Sequence, residues 1–79
     1  MVAEYNPDAL FADGFDDCLI GVVERFGMFH VALYDKDLII DKLMYRDKMS
    51  LEDAEEYFSF NIIGAYVGEH TPAFMTELR

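Results

Sequence analysis

The chain has 79 residues, 53% of them apolar, and a net charge of −10 from 16 acids against 6 bases. A chain of this length makes one domain with a thin core, burying roughly 60–65% of the surface its unfolded form exposes, and an acidic excess of this size disfavours nucleic acid and anionic membranes as direct partners. A single cysteine, Cys18, excludes an internal disulfide and a thiolate metal site, no apolar run approaches the roughly 20 residues of a membrane span, and the opening MVAEYNPDAL lacks the regions of a signal peptide, so a cytoplasmic location is expected.

Residues 1–12 read as an N-terminal arm, because Pro7 and its polar neighbours oppose a long element, with Tyr5, Leu10 and Phe11 available to tack it to a compact domain over 13–79. From 13 to 27 the apolar residues Phe15, Cys18, Leu19, Val22, Val23 and Phe26 recur at helical spacing. Asp13 suits the cap of such a helix and Gly27 its left-handed stop. The run CLIGVV also permits a strand. Residues 29–34 (FHVALY) are short, rich in β-formers and read as a buried strand. That strand needs a partner for its backbone groups, with 73–76 as the local candidate and a second copy of the chain as the alternative.

Asp35 is placed to cap a helix to about Arg46 that directs Leu38, Ile39, Leu43 and Met44 inward, and Lys48 and Met49 form a break. Ser50 with Asp53 resembles a capping box, and acids in the first turns favour the positive end of the helix dipole. The last helix runs to about residue 67, with Leu51, Ala54, Phe58, Ile62 and Ala65 inward and Gly68 and Pro72 ending it. The expected fold is therefore α+β: a small helix-rich single domain of three helices with a minimal two-stranded sheet.

Polar residues among apolar ones mark the candidate sites. Asn61, one turn from both Phe58 and Ala65, is expected to be at least half buried and hydrogen-bonded, and Gly64 in mid-helix suggests close packing. Glu69, His70 and Thr71 follow the helix end, and with Asn61 and Tyr66 they form the candidate ligand or partner contacts. The side chains needed by a general base are present there, but adjacent turn residues point apart, so a hydrogen-bonded loop clasp is the simpler expectation and no catalytic residue is assigned. His30 and His70 lack ligand spacing, and the aspartates at 13, 16 and 17 lack that of a calcium loop, so neither metal nor cofactor is expected. Glu52, Asp53, Glu55 and Glu56 crowd one helical turn and form a candidate acidic surface. Met44, Tyr45 and Met49 are residue types common in interfaces.

The segment RDKMSLEDAEEYFSFNIIGAYVGEHTPAF carries an Arg-Asp-x-Met stretch at Arg46, Asp47 and Met49, an acidic pair at Glu55 and Glu56, and the motif F-N-x-x-G-A-Y-V-G-E-x-T-P-x-F from Phe60 to Phe74. It resembles a small protein family of tailed bacteriophages and related bacterial regions. The likeness extends more loosely through Gly14-Phe15-Asp16 and Leu33-Tyr34-Asp35, covering residues 11–75. The resemblance implies a shared fold and a setting in the host bacterial cytoplasm, and supplies no activity. Small size, acidity and the lack of a catalytic set lead to the expectation of an accessory protein, homodimeric, that binds a host or phage protein through the partner's basic surface. The alternatives are a small-ligand or metal-ion binder using Asn61, Tyr66, Glu69 and His70, and a nucleic-acid mimic presenting Asp16, Asp17, Glu52, Asp53, Glu55 and Glu56.

Overall fold

The computed structural model describes residues 2–66 and 68–78. Val67, where the last helix was expected to end, lies outside the described residues. In chain order the elements are α1 (Val2–Tyr5), a 3₁₀ turn (Asp16–Cys18), β1 (Leu19–Val23), β2 (Val31–Asp35), α2 (Lys36–Arg46) and α3 (Leu51–Tyr57). A wide π turn (Phe58–Ile62), a 3₁₀ turn (Ile63–Ala65) and β3 (Ala73–Met75) complete the described residues. The α+β class holds. The sheet has three strands in the order β1-β2-β3 where two were expected, and its three helices include α1 in the arm in place of a helix over 13–27.

That replaced helix has a physical reason. Leu19 to Val23 contains three β-branched residues and Gly21, all weak helix formers, so the segment gains more by pairing with β2 than by coiling. The two strands are antiparallel, with Val23 opposite Val31 and Leu19 opposite Tyr34, and a bulge between Leu19 and Gly21. Gly27 keeps the left-handed backbone expected of it, at φ 75°, but as a position of the connecting turn in which Met28 N–H donates to the Arg25 carbonyl at 3.0 Å. β3 pairs in parallel with β2, Tyr34 opposite Phe74, as the tail was expected to do. The need for a strand partner is thus met within the chain.

Cap chemistry fixes the helices. The Asp35 carboxylate accepts from the N–H groups of Asp37 and Leu38 at 2.9 and 3.3 Å, and Ser50 Oγ accepts from Asp53 N–H at 3.1 Å. The buried face of α2 is Ile39, Ile40 and Leu43, whereas Leu38 and Met44, expected inside, lie at its exposed margins. From α3 and its continuation, Ala54, Phe58 and Ile62 are buried, while Leu51 and Ala65 are exposed. Phe74 on β3 stacks on Tyr34 at 5.8 Å and receives Phe58 edge-on at 5.1 Å, joining sheet to helix.

The apolar anchors of the arm are Val2, Ala9 and Ala12, which are buried, whereas the side chains of Tyr5, Leu10 and Phe11, expected in that role, are largely exposed, the Tyr5 ring lying 5.4 Å from that of His30. Small side chains let its backbone come close enough for Ala12 N–H to donate to the buried Tyr34 hydroxyl at 2.9 Å. Cys18 is also in the core, and burial together with the adjacent Asp17 carboxylate pushes its thiol up to about 11. At pH 8 its thiolate fraction, and with it alkylation by iodoacetamide, should be on the order of a hundred-fold below that of an ordinary thiol. Unfolding in urea should restore the ordinary rate, and equal rates in both states would show that Cys18 is not in the core.

Candidate functional site

The residues singled out in the carboxyl half separate into two places. One is the outer face of α3 and its π turn. Asp53, Glu56, Tyr57, Phe60 and Asn61 follow i, i+3, i+4, i+7, i+8 spacing along it, opposite the buried stripe of Ala54, Phe58 and Ile62. With Met49 from the preceding break they line an open cleft of about 360 Å³. Phe60 is 73% exposed and Tyr57 40%, so both rings are accessible on this face beside the carboxylates.

Asn61 was expected inside and is exposed. It lies within the π turn, one turn beyond Tyr57 and on the same outer face, while Ile62, one turn beyond Phe58, stays inside. Turns of this kind are frequent at functional sites. Gly64 shows the close packing expected of it, but against its own chain: a Cβ there would lie 2.7 Å from the Ser59 carbonyl oxygen.

The second place is the seam between the arm and the 68–72 loop. Its centre is Asn6, only 5% exposed, a residue that no helix or strand pattern pointed to. Its amide nitrogen donates to the His30 carbonyl at 2.8 Å and to His70 Nδ1 at 3.0 Å, and its amide oxygen accepts from Asp8 N–H at 3.1 Å. The two backbone partners fix which end of the amide is which, so His70 Nδ1 must be the acceptor and Nε2 carries the ring proton. The His70 carbonyl accepts from Leu10 N–H at 3.0 Å, its ring lies 4.4 Å from that of Phe29, and Tyr66 Oη donates to the Phe11 carbonyl at 3.0 Å. The Tyr66 hydroxyl is pushed up by burial and by the Asp13 charge. His70 and Tyr66 therefore clasp the arm, whereas the loop clasp was expected of Glu69, His70 and Thr71, of which only His70 reaches it. Thr71 Oγ1 donates locally to the Gly68 carbonyl at 3.4 Å and Glu69 is exposed, so these two make no site with Asn61. The missed signal was local: Asn-Pro-Asp is a sequence that closes an Asx turn, the bond Asn6 makes to Asp8.

The acidic surface is uneven. Glu52, Asp53, Glu55 and Glu56 are all exposed, and Glu55 pairs with Lys36 at 3.1 Å. Asp17 pairs with Lys42 at 2.8 Å, a hydrogen bond that holds its carboxyl below the usual range. Arg46 spans Asp47 at 2.9 Å and the Phe15 ring at 5.1 Å. Several of the few bases are thus engaged within the chain, while Glu52, Asp53 and Glu56 have no cationic partner among the described residues. Nor, among those residues, do three or more His, Cys, Asp or Glu side chains gather as a metal site would require, and no helix is long and apolar enough to cross a membrane. Comparison with family models, curated proteins and solved structures finds no match for the chain.

Proposed function

We infer that the chain is a small acidic protein-binding module, working in the cytoplasm of a phage-infected bacterium, the setting that the resemblance of residues 46–74 implies, and recruited to a basic surface of a host or phage protein. The observation that carries this reading is the outer stripe of α3, where Asp53 and Glu56, without internal cations, flank the exposed rings of Tyr57 and Phe60. Rings beside charge are what interfaces concentrate. The ligand-binding alternative requires Asn61, Tyr66, Glu69 and His70 around one pocket. In this fold Asn61 lines the cleft on α3, while Tyr66 and His70 fasten the arm. A nucleic-acid mimic requires a continuous acidic face, and Lys42 and Lys36 neutralise Asp17 and Glu55 within it.

Capture from infected cells followed by kinetic measurement tests the reading. With the captured partner, association should slow as salt rises past about 0.15 M, where the Debye length is about 8 Å, while dissociation changes less. Changing Glu52→Gln, Asp53→Asn and Glu56→Gln together should slow association about ten-fold in low salt, while the fold persists with a melting temperature lower by about 5–10 °C, the loss of the helix-dipole interaction of Glu52 and Asp53 in the first turn of α3. Association at the wild-type rate would reduce the acidity to a matter of solubility.

A further inference from the structure

We propose that the cleft on the outer face of α3 is a seat for an arginine side chain carried by a basic segment of the partner, an assignment that rests on the protein-binding reading above and makes it specific. The occupant follows from the lining. Asp53 and Glu56 supply two carboxylates with no cation of their own among the described residues, Tyr57 and Phe60 supply ring faces, and Met49 supplies an apolar floor. An apolar segment seated there would cover both carboxylates unpaired, which is strongly unfavourable. An anion would meet two like charges. A guanidinium satisfies each part at once: its plane stacks on a ring, its fork donates to a carboxylate, and its methylene stem lies against Met49. The Asn61 amide oxygen is a further acceptor on the same rim.

The fold already uses this arrangement internally. Arg46 lies over the Phe15 ring at 5.1 Å and donates to Asp47 at 2.9 Å, and Lys36 lies over Phe58 at 5.1 Å while pairing with Glu55 at 3.1 Å, so a cation held between a ring and a carboxylate is a geometry this chain forms with its own residues, and the preference for arginine rests on its planar fork. On α3 the ring and the carboxylates are present and the guanidinium is not. Lysine is the weaker fit, since an ammonium is a compact, strongly hydrated charge that neither stacks nor forks.

The full chain is titrated against three fluorescent peptides that alternate glycine with arginine, lysine or citrulline, the last being close in shape to arginine and uncharged. The arginine peptide should bind saturably, the lysine peptide about ten-fold more weakly, and the citrulline peptide not measurably. Phe60→Ala and Glu56→Gln should each weaken the arginine peptide about ten-fold, and since both side chains are exposed the melting temperature should stay constant. Equal binding of arginine and citrulline peptides, or full binding to Phe60→Ala, would overturn the assignment. So would a wild-type dimer that Phe60→Ala converts to monomer, because a second copy would then be the occupant. Panning the chain against displayed random peptides separates this failure from that of the broader reading. Peptides whose binding survives Phe60→Ala would refute the arginine seat and leave protein binding intact, whereas a pool with no enriched binder would count against both.

Discussion

Asn6→Leu should lower the free energy of unfolding by about 2–3 kcal/mol and the melting temperature by about 10–20 °C, measured by thermal unfolding followed by circular dichroism. Leucine is close in size to asparagine and removes little packing. What it removes is an amide with three hydrogen bonds at 2.8 to 3.1 Å, leaving the His30 carbonyl, His70 Nδ1 and Asp8 N–H without the partner they share. A stranded buried donor or acceptor costs about 1–3 kcal/mol, and partial access of water to this seam limits the sum. For a domain whose whole stability is about 4–12 kcal/mol, this is a severe loss. Asn61→Leu is the matched control, an exposed amide for which no hydrogen-bond partner is needed, and it should stay within about 0.5 kcal/mol of wild type. Equal damage from the two substitutions would show that the seam does not hold the arm.

Gly64→Ala should also destabilise, by about 1–3 kcal/mol in urea unfolding, although alanine is the better helix former by about 1 kcal/mol. The new methyl carbon would sit 2.7 Å from the Ser59 carbonyl oxygen, and that atom belongs to the backbone of the π turn, so it cannot swing aside as a side chain would. Relief requires the turn to open, which would move Phe60 and Asn61 from their places on the outer face. Gly21→Ala provides the contrast. Nothing lies within 4 Å of the position its Cβ would take, and β1 should accept it with little change. A more stable Gly64→Ala variant would mean that the turn is free to relax.

What could be read from the sequence was what is decided within a few residues. Asp35 and Ser50 capped the helices they were expected to cap, Gly27 took a left-handed conformation, and residues 73–75 supplied the strand that β2 required. Residues 15–26 were ambiguous because a nearly unbroken apolar run satisfies helical and extended spacing alike. Only pairing with β2, seen after the chain folds back, decides between them. On α3 the cap was local but the π turn was not, and Asn61, expected inside, lies on the outer face with Tyr57 and Phe60. The acidic cluster was legible as composition, and its meaning came from Lys36 and Lys42, which neutralise some of its members and leave Asp53 and Glu56 to face outward.

The sheet also sets an order of assembly. Val23 and Val31 are eight positions apart, whereas Leu33 meets Ala73 across 40, and by the logarithmic growth of loop-closure entropy the second pairing costs about 1.4 kcal/mol more to close. The hairpin closes the shorter loop and has both its strands before β3 is made. β3 must wait for both helices to be synthesised and folded back, and until it docks, Tyr34 and Phe58 lack the Phe74 ring that both of them touch. For that interval the nascent chain carries an uncovered aromatic pair and an open β2 edge, the kind of surface that chaperones shield.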